Sequence, residues 1–422
     1  MSDLGTMPEP ADASDLEREN DPYAILRNRN FLLYLTGRFI ASLGQQMLTV
    51  AVGWEIYERT GSTLALGFVG LVQMAPMVLF TLPAGHVADN YNRKKIILLM
   101  QLLLAVSCGG LALASAFQAQ VYWTYCSLFV MGIARTCLWP ASASFLPQLV
   151  PRRQFARAVT WNTGCFQISA VTGPAVGGAL IALTRSAALV YALNGVAALV
   201  CLVLIGWVRT HHAAVVKERM SLKSIAVGLN FVYRTKVVLG SITLDLFAVL
   251  LGGATAMLPV YAKDILHVGP RGLGWLQSAL PMGSLLMSLI LVHRPPLQKA
   301  GRTLLWAVAL FGLATIGFGY SRTFWLSFLM LFACGATDYI SVVVRHTLVQ
   351  LLTPDAMRGR VSAINSLFIG TSNQMGEFES GMVAHFTNSV FAVVSGGVGT
   401  ILVVVAVAVL WPEIRNYGRL DA

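Results

Sequence analysis

Four charged side chains lie inside long apolar stretches of the chain, where they could handle protons: Arg38, Arg135, Asp245 and Asp338. An ionisable group within a membrane helix costs at least about 2.5 kcal/mol on insertion scales, so each is a candidate functional residue. A carboxylate that loses an arginine partner in a low-dielectric site can take up a proton. We therefore predict that Asp245 and Asp338 are protonation sites tuned by Arg38 and Arg135. The alternative is that these charges form static salt bridges that hold two halves of the protein together.

Two glutamates and several other polar residues are further candidates. Glu377 and Glu379 are two positions apart, so they face different sides of a helix, and one of them could face a cavity as a proton carrier. An otherwise apolar pocket needs only a few polar contacts to orient its ligand. With Arg38 and Arg135, the residues predicted to supply these contacts are Gln45, Trp54, Gln73, Asn162, Asn365 and Asn373.

The elements that must position these residues are membrane helices. Of the 422 residues, 56% are hydrophobic and 12% are charged, against about 25% charged in a soluble domain, which excludes a soluble enzyme. A bilayer core of about 30 Å is crossed by about 20 apolar residues in a helix. We predict an all-α membrane protein with twelve spans, at 29–57, 64–88, 95–117, 121–147, 155–183, 187–209, 237–263, 272–293, 302–319, 323–350, 358–385 and 388–411.

The positive charge is unevenly distributed among the connections between these spans. The chain has 30 Lys and Arg against 19 Asp and Glu, a net charge of +11. Of the 27 bases outside the spans, 22 lie in the terminal segments or the even-numbered connections. Because cytoplasmic loops are enriched in Lys and Arg, we expect both termini in the cytoplasm. The bases form no patch or arm, so no nucleic acid is expected as a partner.

The spans divide into two groups of six. Residues 25–209 and 237–412 are the predicted bundles, and the acid-rich residues 1–24 and residues 413–422 are predicted cytoplasmic tails, the first of them disordered. Residues 210–236 form a cytoplasmic linker.

Within the linker, apolar residues recur at helical spacing, as at Leu222, Leu229 and Val232. They predict a short amphipathic helix. It lies on the cytoplasmic leaflet or, equally plausibly, packs against the bundle.

The two groups of spans are related by an internal repeat. An offset of 203 residues places Arg135 on Asp338, and an offset of 207 places Arg38 on Asp245. The 203-residue register holds over three consecutive spans. Two repeated six-helix halves of the same sense imply a pseudo-twofold axis along the membrane normal and a substrate site between the halves. This arrangement is typical of a transporter.

A loop motif follows the second span, with Gly85, then Asp89 four residues later, then the basic pair Arg93 and Lys94. It resembles the loop signature of the major facilitator superfamily. The resemblance implies that the acid and the bases form a charge network that locks one conformation. The simpler reading is that the bases only mark the cytoplasmic side.

The fifth predicted span carries a second motif. Gly173-Pro174-Ala175-Val176-Gly177-Gly178 resembles the end of the signature carried by exporters of this superfamily. Small residues four apart also let helices approach closely, and a proline bends a span. Helix packing alone therefore explains the motif equally well.

Three further segments resemble the bacterial branch that includes the enterobactin exporter and the macrolide and multidrug efflux pumps: residues 29–38, Trp54-Glu55-Ile56-Tyr57 and residues 376–381. The resemblance implies a monomeric transporter of the bacterial inner membrane that exports amphipathic small molecules, of drug or siderophore type, by proton antiport with alternating access. Membrane lipids surround it, and no cofactor, metal or enzymatic activity is expected. The alternatives are a symporter or lipid-moving facilitator on the same fold, or a non-transporting scaffold or receptor.

Overall fold

The computed structural model describes residues 23–209, 222–294 and 298–418. Every regular element in these ranges is a helix. The first half contains α1 to α6, at Arg29–Thr60, Thr63–Asn90, Arg93–Ala116, Val121–Leu149, Phe155–Thr184 and Ala188–Trp207. The linker helix α7 is Leu222–Arg234. The second half contains α8 to α13, at Lys236–Leu251, Gly269–Val292, Ala300–Tyr320, Phe324–Leu352, Asp355–Phe386 and Ser389–Leu410.

Polar residues next to the spans fix where several helices begin. The Asn28 side chain accepts hydrogen bonds from the backbone N–H groups of Asn30 and Phe31 and caps α1. Ser62 and Asn92 cap α2 and α3 in the same way. These caps satisfy backbone donors that no helical carbonyl can reach. Short polar connections therefore separate long apolar helices.

Ten of these helical segments are long and apolar enough to cross a membrane by length and composition. The other two long helices, α1 and α12, have 32 residues each and contain more polar side chains, among them Arg38, Gln45 and Glu377. They complete twelve spans, so the prediction of twelve membrane helices in two six-helix bundles is confirmed.

The two bundles repeat the same packing arrangement. In the first half, α1 packs on α5 and α6, α3 packs on α4 and α6, and α2 packs on α4. In the second half, α8 packs on α12 and α13, α10 packs on α11 and α13, and α9 packs on α11. The helix pairs correspond one to one, as expected for repeated halves.

The ends of the helices define two sides of the protein. Asn28 donates to Leu149 O (3.1 Å) and Asn30 to Arg209 O (3.0 Å) at one end of the first bundle. We call this the terminus side, because the first and last described residues, Tyr23 and Gly418, lie there, and the opposite end the far side. At the terminus side of the second bundle, a short helix at Pro412–Arg415 follows α13, and its Ile414 is fully buried.

The halves meet through two helix pairs, α2 with α12 and α5 with α9. Glycines allow the backbones to touch there. A Cβ on Gly381 of α12 would lie 2.6 Å from Gly67 Cα of α2, and one on Gly178 of α5 would lie 3.0 Å from Gly274 Cα of α9. Both contacts lie in the far-side part of the helices.

The seventh span is broken, where the sequence predicts one continuous stretch. Helix α8 ends at Leu251, and the chain continues through a 3-10 turn at Ala254–Met257 to a π-helical turn at Tyr261–Ile265. Gly252 and Gly253 separate the two parts. A Cβ on Gly253 would lie 2.6 Å from Gly376 O, so the break lets this segment approach α12.

The linker helix packs against the second bundle, and its placement on the cytoplasmic leaflet stays a prediction. Val232 is buried and packs in one cluster with Val238, Val349 and Val361 of the second bundle. On the same helix Leu229 is exposed, as are Val227 and Tyr233. The predicted tail at 1–24 falls mostly, and the first part of the linker at 210–221 entirely, outside the described residues.

Candidate functional site

A central cavity of about 160 Å³ lies between the two halves. Its lining comes from α1, α2 and α4 on one side and from α9, α12 and the broken seventh span on the other. The residues that line it are Leu48, Thr49, Val52, Gly53, Leu66, Val69, Gln73, Arg135, Thr255, Ala256, Pro259, Gln277, Gln374 and Glu377. It therefore combines an aliphatic wall with one base, one acid and three amides.

Two glutamines hold Arg135 in place. Its Nε donates to Gln45 Oε1 of α1 (3.2 Å), and its Nη1 donates to Gln73 Oε1 of α2 (2.7 Å). Because both amide oxygens accept from the guanidinium, the amide nitrogens must point elsewhere. The base is thus fixed in the first half without losing its positive charge.

Glu377 of α12 is the acid that faces this base from the second half. It lies close enough to Arg135 for an electrostatic interaction. The approach requires Gly70 on α2, since a Cβ there would lie 3.1 Å from Glu377 Oε2 and 2.5 Å from Gln374 O. Arg135 of the first half and Glu377 of the second half are therefore opposite charges that line the same cavity.

Two cavity-lining glutamines of the second half have amide oxygens without hydrogen-bond partners among the described residues. They are Gln277 Oε1 on α9 and Gln374 Oε1 on α12, and both atoms are buried. Gln374 lies one turn before Glu377 and faces the same cavity. Sequence reasoning missed both glutamines. A polar amide three residues before Glu377, on the same helical face, was the available signal for Gln374.

A second charged cluster lies inside the second half. Asp245 of α8 forms an ion pair with Arg345 of α11, and both side chains are buried. Asp338, two turns before Arg345, is in electrostatic reach of both. Asp245, Asp338 and Ser341 border a small cavity of about 10 Å³.

The cross-half pairs suggested by the repeat are not formed in this structure. Asp245 pairs with Arg345 of its own half, and Arg135 interacts with Gln45, Gln73 and Glu377 instead of Asp338. The repeat identifies positions that are equivalent in the two halves. Equivalent positions occupy the same place in their own bundle, and nothing requires them to touch.

The other residues predicted for the cavity lie elsewhere. Trp54 is 7% exposed and belongs to the apolar core of the first half. Asn365 is 4% exposed, and its Oδ1 has no partner among the described residues. The Arg38 Nε is likewise buried without a described partner. Asn162 is half-buried on α5, and Glu379 lies beside Ser380 (3.4 Å), with neither among the cavity-lining residues.

One hydrogen bond ties the far-side ends of the two halves together. Tyr57, near the end of α1, donates its hydroxyl to Asp264 Oδ2 in the seventh span. The Lys263 ammonium lies 5.5 Å from the centre of the Tyr57 ring, within the range of a cation–π contact. With the glycine contacts, this bond closes the far side above the cavity.

The comparison with known families agrees with this geometry. A model of the transmembrane secretion effector family, a branch of the major facilitator superfamily, matches residues 20–420. The chain belongs to this family. The resemblance to the major facilitator superfamily in the sequence is therefore confirmed.

Individual relatives match this member of the family over almost its whole length. The enterobactin exporter EntS of Escherichia coli strain K12 is 25% identical over 399 residues, covering 92% of this chain and 93% of the exporter. The same exporter of Shigella boydii serotype 18 matches with the same identity and coverage.

Solved structures show the same fold. A bacterial homologue of the human lysosomal transporter Spinster, in an inward-facing and occupied conformation, has a TM-score of 0.72 at 16% identity over 92% of this chain and 97% of its own. The nucleoside transporter NupG has a TM-score of 0.70 at 12% identity, covering 91% of this chain and 99% of its own. The peptide transporter PepTSo has a TM-score of 0.71 at 12% identity, covering 92% and 98%.

The loop motif lies at the terminus side, between α2 and α3. Gly85 is half-buried near the end of α2, and the side chain of Asp89 lies outside the described residues. Lys94 donates to Gly206 O (2.7 Å) and Val208 O (2.8 Å), so it caps the last carbonyls of α6. Arg93 is half-buried as the first residue of α3. The role of the motif as a charge network stays a prediction.

The exporter-type motif of α5 lies at two close helix contacts. Cβ atoms on Gly173 and Gly177 would lie 2.5 Å from Gln46 Cβ and 2.9 Å from Met47 Cα of α1. Gly178 and the Pro174 carbonyl meet Gly274 of α9. The same short segment thus packs α5 against its own half and against the other half.

Proposed function

We propose that this chain is a secondary active exporter of amphipathic small molecules, driven by proton antiport with alternating access. The observation that carries the proposal is the pair of Arg135 and Glu377, which belong to different halves and face each other across the central cavity. Both termini would be cytoplasmic, in agreement with the excess of bases at the terminus side. The far side would then face the periplasm.

Alternating access would be a rocking of two rigid bundles about the cavity. Within each half the helices pack along their length, whereas the glycine contacts, the Tyr57–Asp264 hydrogen bond and the Phe68–Phe378 ring pair (5.6 Å) join the halves towards the far side. Separating the far-side parts of the α2–α12 and α5–α9 interfaces would open the cavity to the periplasm. The twofold relation between the bundles supports a substrate site at the pivot.

The charge pair supplies a route for proton coupling. Gln45 and Gln73 keep Arg135 in the first half, so rocking the halves changes its separation from Glu377. A carboxylate that moves away from a guanidinium holds a proton more readily, and one that approaches it releases the proton. Glu377 would thus load a proton from the periplasm and release it when the far side closes.

The comparisons support export in particular. The family consists of transmembrane secretion effectors, and the curated relatives that align over nearly the full length are exporters. Asp245 and Asp338 remain candidates for a second protonation site, because Arg345 balances one of their two negative charges. We assign the principal role to Glu377, because it faces the cavity shared by both halves.

Substrate-induced proton release from energised everted vesicles tests the proposal. A panel of amphipathic compounds is added to vesicles that contain the wild type, Glu377→Gln, or the control Glu379→Gln, which lies on the same helix outside the cavity lining. Antiport predicts proton efflux from the lumen with the wild type and the control, and its loss in Glu377→Gln. Proton movement in the opposite direction would indicate a symporter, and a lack of flux and binding for every compound would indicate a scaffold or receptor.

A further inference from the structure

Four arginines lie together at the terminus side of the first half, where α4 is followed by α5. Arg152 and Arg153 belong to a 3-10 turn directly after α4, and Arg157 lies in the first turn of α5. Arg27 ends the short 3-10 helix before α1, and the residue after it donates the hydrogen bond to Leu149 O at the end of α4. We call these four residues the arginine corner. Arg157 is half-buried and the other three are exposed.

The first half supplies few acids that could balance this charge. Between Tyr23 and Lys217 the sequence contains three acids: Glu55, Glu58 and Asp89. The two glutamates lie near the far-side end of α1, and Asp89 alone lies at the terminus side, near the end of α2. A cluster of bases at one end of a membrane bundle attracts an anionic partner, either an acidic segment or anionic lipid head groups.

Residues 1–22, which precede the described part of the chain, carry the opposite charge. They contain seven acids against one base. Four of the acids lie close to the described part, at Asp15, Glu17, Glu19 and Asp21. The chain therefore brings its own anionic segment to the terminus side.

The acidic segment is attached to the bundle next to the arginine corner. The ring of Tyr23 lies 6.0 Å from the ring of Trp161 on α5. Arg157 precedes Trp161 by four residues, so the two side chains are neighbours on one face of α5. A chain spans at most about 3.6 Å per residue, which keeps Asp21 within about 7 Å and Glu17 within about 22 Å of Tyr23 along the backbone. These acids can therefore reach the arginine corner.

We propose that the acids of residues 1–22 bind the arginine corner of the same chain and cover it against anionic lipid head groups. Guanidinium groups match carboxylates with paired hydrogen bonds. Each exposed pair contributes little, but the covalent link keeps the acids at a high effective concentration, so several pairs act together. The inference does not depend on the export function. Because all four arginines belong to the first half, the segment would stay on that half while the bundles rock.

Pulsed electron paramagnetic resonance on the full chain in phosphatidylcholine nanodiscs tests the contact without transport. With the six native cysteines replaced, spin labels on Ser14→Cys and Gln154→Cys report the distance from the acidic segment to the arginine corner. The control pair is Ser14→Cys with Asn416→Cys, an exposed position at the terminus side of the second half. We expect a short, narrow distance distribution for the first pair at low salt, which broadens and lengthens in high salt because salt screens exposed charges. The control pair should give a longer, broad distribution in both.

Charge variants locate the contact on both partners. The double change Arg152→Gln with Arg153→Gln should broaden the distribution at low salt, whereas Lys95→Gln, an exposed base of α3 outside the arginine corner, should leave it unchanged. The same broadening is expected when the acids of the segment become amides, in the combined variant Asp15→Asn, Glu17→Gln, Glu19→Gln and Asp21→Asn. A separate peptide of residues 1–22 should bind this combined variant, and its affinity should fall about fivefold when Arg152 and Arg153 are also changed to Gln.

Lipid composition separates the two possible anionic partners. Nanodiscs that also contain phosphatidylglycerol should give the same short distance, because the attached segment holds the arginine corner. If phosphatidylglycerol lengthens the distance at low salt, the arginine corner is a lipid site and the inference is wrong. A broad distribution at low salt in phosphatidylcholine, or a short one that neither salt nor the arginine changes affect, would also overturn it.

Discussion

The Tyr57 hydroxyl donates a hydrogen bond to the Asp264 carboxylate across the far-side ends of the two bundles. Tyr57 itself is buried, while Asp264 is exposed. The bond therefore joins the end of α1 to the far-side end of the broken seventh span, and it can form only when the halves are close. It is a hydrogen bond among far-side contacts that also include glycine backbones and the Phe68–Phe378 ring pair.

Tyr57→Phe is expected to loosen the far-side closure. A hydrogen bond of this kind contributes about 1 kcal/mol, so its loss shifts the balance towards far-side opening about fivefold. The measurement is the labelling rate of Thr255→Cys, a cavity residue, by an impermeant thiol reagent from the periplasm, with the six native cysteines replaced. The control is Tyr125→Phe, which removes a hydrogen bond to Ala65 O within one half, and its labelling rate should equal that of the Thr255→Cys parent. Equal labelling rates in the parent, Tyr57→Phe and Tyr125→Phe would contradict the prediction.

Gly381→Ala is expected to prevent tight closure of α2 on α12. The new methyl group would lie 2.6 Å from Gly67 Cα and 2.7 Å from Thr63 O, both parts of the backbone. Labelling of the cavity cysteine from the periplasm should rise and transport should fall. Gly164→Ala is the matched control, because nothing lies within 4 Å of its Cβ position, and it should stabilise α5 by about 0.5–1 kcal/mol. Normal transport by Gly381→Ala would show that the far side closes without this contact.

Arg345→Met is expected to destabilise the protein more than Asp245→Asn. The first change leaves the buried Asp245 and the half-buried Asp338 without their arginine, and breaking a buried ion pair costs about 3–5 kcal/mol. The second change leaves Arg345 with Asp338 in electrostatic reach. Thermal unfolding in detergent measures the difference, and the double variant should be more stable than Arg345→Met alone. Equal losses in the two single variants would mean that Asp338 does not share the arginine.

Glu413→Gln tests a pH-dependent contact of the chain's C-terminal end. Lys236 Nζ donates to Glu413 Oε1 (2.8 Å), and this hydrogen bond lowers the pKa of the Glu413 carboxyl. Because the folded pKa is depressed, the stabilisation is present near neutral pH and is lost as the pH falls through the folded pKa, which lies below the ordinary pKa of a glutamate. The Tm difference between wild type and variant should be small, since the pair is exposed, and should vanish on acidification and in high salt. A difference that persists at low pH would contradict this account.

Much of the fold could be predicted from the sequence. Membrane helices must satisfy their own backbone hydrogen bonds, so stretches of about 20 apolar residues are constrained to be helices. The seventh span shows the limit of this rule. Its apolar character predicts one helix, but Gly252 and Gly253 break it where the backbone approaches α12.

The site was predicted less completely. Arg135, Gln45 and Glu377 were identified because charged and amide groups are costly inside a membrane and are retained for a purpose. Their partners were not identified, since a contact depends on how each helix is rotated and how far it is shifted against its neighbour. Gln277 lies on α9, which packs on α5, and Gln374 lies on α12, which packs on α2. Only the packing of these helices brings both side chains to the same cavity.

The sequence by itself determined the number of spans, the division into two repeated halves and the superfamily, because each follows from local composition or from repeated positions along the chain. Only the tertiary structure decided that Asp245 pairs with Arg345 and that Arg135 faces Glu377. The repeat relates equivalent places in two bundles, whereas charges interact over a few ångströms. Which charges come that close is set by Gly70, Gly67 and Gly381, whose missing side chains let α2 and α12 approach each other.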